Sequence, residues 1–274
     1  MNWLGYLMSN VWDLVGASSF MWRQQHVVGH HSFTNVENYD LDIRVNDPDV
    51  HKVTYKQPIQ GYHSFHHMYL GALYGLLGMK AVLVDDFAAF ITGYIGSVKI
   101  PKMTSLEIGV FIGGKVLYTI YMFLLPSFFG HHNVYLCAVL YIVSQLVLGW
   151  TLVLLFQVAH VAPEAAFPVV DSSDGRSKLH QGWAALQVTT TKNFSTDSLL
   201  WTHLSGVLKY QIEHHLFPCV YHLHYPSIHP IVKETCKDFD VPYYSYPSFW
   251  DALKAHFVHL KKVGREHLEL CFSG

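Results

Sequence analysis

The sequence predicts an all-α, multi-pass helical membrane protein with a metal-binding cap on its cytosolic side. Three observations lead there. Charged residues make up 14% of the 274-residue chain and hydrophobic residues 51%, whereas a soluble domain carries about a quarter charged residues. Residues 106–126 and 134–158 form two apolar runs, each long enough to cross a bilayer. Histidines number 20, more than the 18 lysines and arginines together, and some are clustered at ligand spacing. A net charge of -2 gives no basic excess to neutralise phosphates and argues against a nucleic-acid partner. Cys137, Cys219, Cys236 and Cys271 are scattered, which fits neither a disulfide framework nor a thiolate metal site.

Taken in order, residues 3–22 are largely apolar with Asp13 in their middle and Gly5 and Gly16 weakening helix propensity. They read as a helix at or dipping into the interface, with a spanning helix as the alternative. His26, His30 and His31 follow; i, i+4 and i+5 spacing brings their nitrogens to one side of a helix. Residues 32–62 are rich in turn formers and read as an aqueous loop. Metal-bound histidines usually donate their second N–H to a carboxylate or carbonyl, so Asp40 and Asp42 are candidate partners, alongside the plainer reading of solvated loop residues. Residues 65–95 are apolar but broken by Lys80, Asp85 and Asp86, and read as an interfacial or re-entrant helix pair.

The two apolar runs carry the topology. Lys99 and Lys102 precede the first, and the 127–133 link has no Lys or Arg, so the lysine side is cytosolic. Lys115 is costly in lipid and must face protein or snorkel. Two crossings return the chain to the side it left. His26, His30 and His31 therefore share a face with His160, just past the second run, and with His214 and His215. In Gln211-Ile-Glu-His214-His215, i, i+3 and i+4 spacing puts the glutamine and both histidines on one helix face. His63, His66 and His67 repeat this spacing but flank an interfacial helix and read mainly as anchors. His131 and His132 fall on the far side. His222, His224 and His229 read as structural, and His180 and His203 as weak candidates. Phe249–Leu260 reads as an amphipathic helix covering the site or resting on the membrane. Nitrogen-rich sites suit zinc, copper, iron or nickel. Six histidines exceed one tetrahedral zinc, and a lipid-surface site suggests iron activating oxygen against an unactivated C–H bond.

Trp22-Arg-Gln-Gln-His26-Val-Val-Gly-His30-His31 resembles the second histidine box of the membrane fatty acid desaturases. Gln211-Ile-Glu-His214-His215-Leu-Phe-Pro218 resembles their third, in the glutamine form of the front-end class, and Gln157-Val-Ala-His160 their additional histidine ligand. The resemblance runs nearly end to end over 1–274 as one desaturase domain, with a cap from 22–62 and 160–274. It implies a di-iron, non-haem centre held by His26, His30, His31, His160, His214 and His215, with Gln211 a weak or water-bridged group. It also implies an acyl-lipid or acyl-CoA substrate, cytochrome b5 or a similar electron donor, and the endoplasmic reticulum membrane with the boxes facing the cytosol. The reaction implied is a cis double bond on the carboxyl side of an existing one. The family's first histidine box and a fused haem motif are not found, and the expectation is a chain truncated at its N-terminus. A lipid hydroxylase and a non-catalytic metal-binding protein are the competing readings.

Overall fold

In a computed structural model residues 7–43, 50–96, 98–129, 133–172 and 178–272 are described, the side chains beyond residue 265 excepted. The chain is predominantly helical. A 3-10 turn, Val11–Val15, precedes α1 (Ser19–Trp22), which continues as a π-helical stretch, Arg23–His30. A second 3-10 turn, Gly61–Phe65, leads into α2 (His66–Lys80), a π stretch (Ala81–Asp85) and α3 (Asp86–Thr92). After β1 (Tyr94–Ile95) and β2 (Val98–Lys99) come α4 (Ser105–Thr119), a π stretch (Ile120–Leu124) and α5 (Leu125–Phe129), one uninterrupted run. Then follow α6 (Val134–His160), α7 (Trp183–Thr190), β3 (Asn193–Phe194), α8 (Leu199–Leu204), α9 (Gln211–Leu216), α10 (Tyr225–Asp238), β4 (Ser245–Tyr246) and α11 (Phe249–Phe272). The chain divides into two compact units, residues 1–30 with 72–151 and residues 31–71 with 152–274.

The first unit holds most of the apolar length. Ser105–Phe129 and Val134–His160 are long and apolar enough to cross a membrane, and only 11% and 22% of their most apolar stretches are buried within the protein. Thr104 and Glu107 form a reciprocal capping box that starts α4. Tyr118 and Tyr141 pack with Val82, and Gln145 donates to the Tyr118 hydroxyl at 2.7 Å. At Gly149 the helix backbone meets that of Gly75, with no room for a Cβ at Gly149.

Two sequence expectations fail in this unit. The helix over 3–22 is broken: Gly16 sits at φ 87°, and Ser18 caps a new helix by accepting from the Met21 amide. Tyr118 occupies the space a side chain at Gly16 would need. The helix pair over 65–95 is instead one helical course from His66 to Thr92. Its charges do not break it because they are paired. Lys80 bonds Asp85 at 2.6 Å, and Asp86 bonds Lys115 at 2.7 Å. Lys115 also donates to the carbonyls of Gly16 and Val82, so it faces protein, as a charge within an apolar helix must.

The second unit is built around Leu155, Val158, Ala162, Phe194, Tyr246, Phe249 and Ala252. Strands β3 and β4 pair in parallel, Asn193 opposite Ser245 and Phe194 opposite Tyr246. A second cluster, Val188, Ile212, Val232 and Cys236, joins α7, α9 and α10. The aqueous loop expected over 32–62 is mixed where described, with about as many exposed residues as buried ones. Thr34, Asn35, Val36 and Asp40 are buried, and the Asn35 amide donates to the carbonyls of His160, Ala166 and Thr190. Its buried polar residues serve as internal hydrogen-bond donors and acceptors, a use that composition does not distinguish from solvation. The C-terminal helix runs past Leu260 to Phe272 and packs against the Gly61–Phe65 turn.

Candidate metal centre

Each ring is placed by a short piece of backbone. In the first unit His26 and His30 lie on the π-helical stretch Arg23–His30, not on the regular α-helix expected from their spacing. Wider i→i+5 turns of this kind concentrate at functional sites. Trp22 stacks on His26 at 4.4 Å between ring centroids, and His26 on His30 at 5.1 Å. Nitrogens of His26 and His30 lie within 4.8 Å of one another.

Within the second unit four imidazoles meet. His31 stacks on His215 at 4.3 Å and meets His214 edge-on at 4.7 Å. His160, the last residue of α6, meets His215 at 4.9 Å. Nitrogens of His31 and His214 lie within 4.8 Å of each other, as do those of His160 and His215. His31, His160 and His215 are buried and His214 is partly so. The donor set is all imidazole, of intermediate softness, and fits iron or a similar transition metal rather than calcium or magnesium. Packing these rings together is unfavourable if they carry protons, and favourable if a cation takes their lone pairs.

Helix α9 presents His214 and His215 because its other face is anchored. Glu213, fully buried, accepts from Asn193 Nδ2 at 2.7 Å and from the Tyr243 hydroxyl at 3.0 Å, and lies 3.3 Å from His229 Nδ1. Asn193 Oδ1 in turn accepts the Ile212 amide at 2.9 Å. Burial and the Glu213 charge push the Tyr243 hydroxyl well above its ordinary range, so it stays a donor. On the other flank His214 Nδ1 is 3.5 Å from the Tyr225 hydroxyl, which burial pushes up to about 12. Gln187 Oε1 lies 3.0 Å from His215 Nδ1. Gln211 is buried, and its Nε2 has no hydrogen-bond partner among the described residues.

The remaining sequence candidates separate from this cluster. Asp40 accepts the amides of Asn35 and Asp42 at 2.7 and 2.8 Å, ordering the loop after His31. His180 is exposed beside Asp171, and His203 is exposed. His229 supports Glu213, and His222 and His224 are exposed. His131 and His132 lie outside the described residues. His63 and His66 are buried in the second unit, where each bonds a backbone group. Gln187, Glu213 and Asn193 were missed because nothing in their spacing marks them; a lone polar residue on an otherwise apolar helix turn was the available signal at Gln187.

A family model described as fatty acid desaturase matches residues 1–247. An acyl-lipid (8-3)-desaturase of Physcomitrium patens is 59% identical over 97% of this chain and 55% of its own length. Acyl-lipid (8-3)-desaturase B of Dictyostelium discoideum is 36% identical over 95% of the chain and 57% of its own length. An sn-1 linoleoyl-lipid 6-desaturase of Synechocystis is 32% identical over 94% of the chain and 71% of its own length. The chain thus spans little more than half the length of the first two relatives. No solved structure matches it.

Proposed function

The chain belongs to the fatty acid desaturase family, and from that premise we propose that it carries the histidine-rich part of a membrane acyl desaturase. The reaction is insertion of a cis double bond into an unsaturated acyl chain, on the carboxyl side of an existing one. The names of the relatives favour an acyl-lipid substrate and the (8-3) reaction. The observation that carries the reading is the buried cluster of His31, His160, His214 and His215, four imidazoles ring against ring within one compact unit.

These four, with His26 and His30, are the proposed ligands of a non-haem di-iron centre, and Gln211 is the proposed weak or water-bridged group. His30 and His31 are consecutive, so one peptide bond links the pair on the π-helical stretch to the cluster. When bound, the iron supplies the oxygen activation needed to remove hydrogen from an unactivated C–H bond. The chain's own residues hold the neutral imidazoles, orient them through Glu213 and Gln187, and keep water away by burial.

The proposed topology is multi-pass, with Ser105–Phe129 and Val134–His160 as a membrane hairpin. All proposed ligands then face the cytosol at the endoplasmic reticulum, where cytochrome b5 or a similar donor supplies electrons. Residues 1–274 act as one desaturase domain in this reading, with the cap drawn from 22–62 and 160–274.

The test expresses the longest natural reading frame containing this chain in cells fed unsaturated acids. Lipid analysis should show a new double bond on the carboxyl side of an existing one, absent when His215 is changed to Ala. No new unsaturated product, or a hydroxylated one, would contradict the proposal.

A further inference from the structure

We propose that Gln187 is a positioning residue that decides which nitrogen of His215 is offered to the metal. The inference rests on the reading of His215 as a ligand and concerns how that ligand is prepared.

Gln187 lies on α7, fully buried, between the two histidine segments of the second unit. Its Nε2 donates to the backbone carbonyl of His31 at 3.2 Å. A carbonyl accepts only, so this contact orients the amide and turns Oε1 the other way. There Oε1 meets the Thr34 hydroxyl at 2.8 Å and His215 Nδ1 at 3.0 Å. An amide oxygen also accepts only. Both neighbours must therefore bring a hydrogen: Thr34 donates its hydroxyl, and His215 carries its proton on Nδ1. The opposite tautomer would set two lone pairs against each other at 3.0 Å inside a buried site. Thr34 Oγ1 also lies 3.1 Å from His215 Nδ1, so its lone pair shares the same proton. With Nδ1 protonated, the neutral ring presents its lone pair at Nε2.

One side chain thus joins the backbone of His31 to the ring of His215, rings that stack at 4.3 Å. The amide sets the tautomer of one ligand and the backbone position of the next. A glutamine does both because it carries a donor and an acceptor on one rigid plane; Leu would fill the space and Met would match its length, but neither would orient either group.

The test uses the purified chain in detergent, with ¹⁵N-labelled histidine and His215→Asn to assign the ring. In the metal-free wild type His215 should be protonated at Nδ1. Gln187→Met should give mixed tautomers and weaken iron(II) binding about 10- to 100-fold. Gln187→Glu keeps an acceptor opposite Nδ1 and should keep the tautomer, although it gives up the donor to the His31 carbonyl and some stability with it, with helicity checked by circular dichroism. An Nε2-protonated His215 in the wild type would overturn the inference even if no variant folds. A Gln187→Glu variant whose His215 loses the Nδ1 proton to the same extent as in Gln187→Met would also overturn it, since a purely structural role treats the two alike. A wild type that binds no iron(II) would instead contradict the iron reading, while the ring spectrum still decides the tautomer.

Discussion

The second unit holds two histidine clusters, and they use the same side chain in opposite ways. In one, His31, His160, His214 and His215 pack ring on ring at 4.3–5.5 Å. In the other, the rings stand further apart, His63 to His66 at 5.8 Å and His51 to His66 at 6.4 Å. The second set faces backbone. His66 Nε2 bonds the Leu260 carbonyl at 2.6 Å, His256 Nδ1 that of Val161 at 2.8 Å, and His259 Nε2 that of Val53 at 2.8 Å. His63 Nδ1 accepts the Gln60 amide at 2.9 Å. The first three bonds fasten the C-terminal helix α11 to the start of α2, to the end of α6 and to the loop at Val53, and the last closes the Gly61–Phe65 turn. Burial holds His66 and His256 down at about 4, and lowers His51 and His259 too, so these four are neutral where ordinary histidine begins to titrate. A histidine committed to a carbonyl is a structural staple, whereas imidazoles gathered against one another are a donor set for a cation.

Substitution should separate the clusters. Changing His160 or His215 to Ala should bring bound iron to background, read by metal analysis, while the cavity left in the buried cluster costs about 2 kcal/mol of stability, read by unfolding. Glu213→Ala should cost about 3 kcal/mol of unfolding free energy, because Tyr243 and Asn193 lose a buried acceptor. Iron should fall with it, since α9 loses its anchor. His66→Leu removes the buried bond to the Leu260 carbonyl, which keeps its bond within α11, and should cost about 1 kcal/mol, with iron per folded chain unchanged.

The staple cluster also carries a pH signature. Its folded histidines titrate below their unfolded value, so the unfolded chain binds more protons and stability rises with pH. That stability is fully present above pH 6.5 and is lost as pH falls towards about 4. Each such histidine adds up to about 1.4 kcal/mol per pH unit across the window. Denaturant titrations at several pH values should show this slope, and His256→Gln should flatten it. The smallest effect belongs to Thr34→Val, which removes the bond to Gln187 Oε1 and the contact with His215 Nδ1 and should weaken iron binding about fivefold.

The sequence made the proposed metal ligands stand out and left the residues that support them hidden. Both long helices follow from long apolar runs, the second free of charge, and paired histidines at helical spacing mark themselves as candidates. The 65–95 segment was misjudged because Lys80, Asp85 and Asp86 look like breaks until their partners are known, and Lys115, the partner of Asp86, lies 29 positions further along. Part of the 32–62 loop was misjudged because Thr34, Asn35 and Asp40 bond buried partners instead of water. His63-Ser-Phe-His66-His67 shows the limit of spacing: it repeats a ligand pattern, yet Leu260 and Gln60 claim its nitrogens. The staple partners of α11, His256 and His259, carry no motif at all. Gln187 and Glu213 are single polar residues whose roles emerge only when α7, α9 and α10 pack together.

The most direct test is metal analysis of three purified forms side by side: wild type, His215→Ala and His66→Leu. The account predicts iron in the wild type and in His66→Leu, and none above background in His215→Ala. Iron retained by His215→Ala, or lost equally from both variants while they remain folded, would contradict the assignment of one cluster to metal and the other to structure.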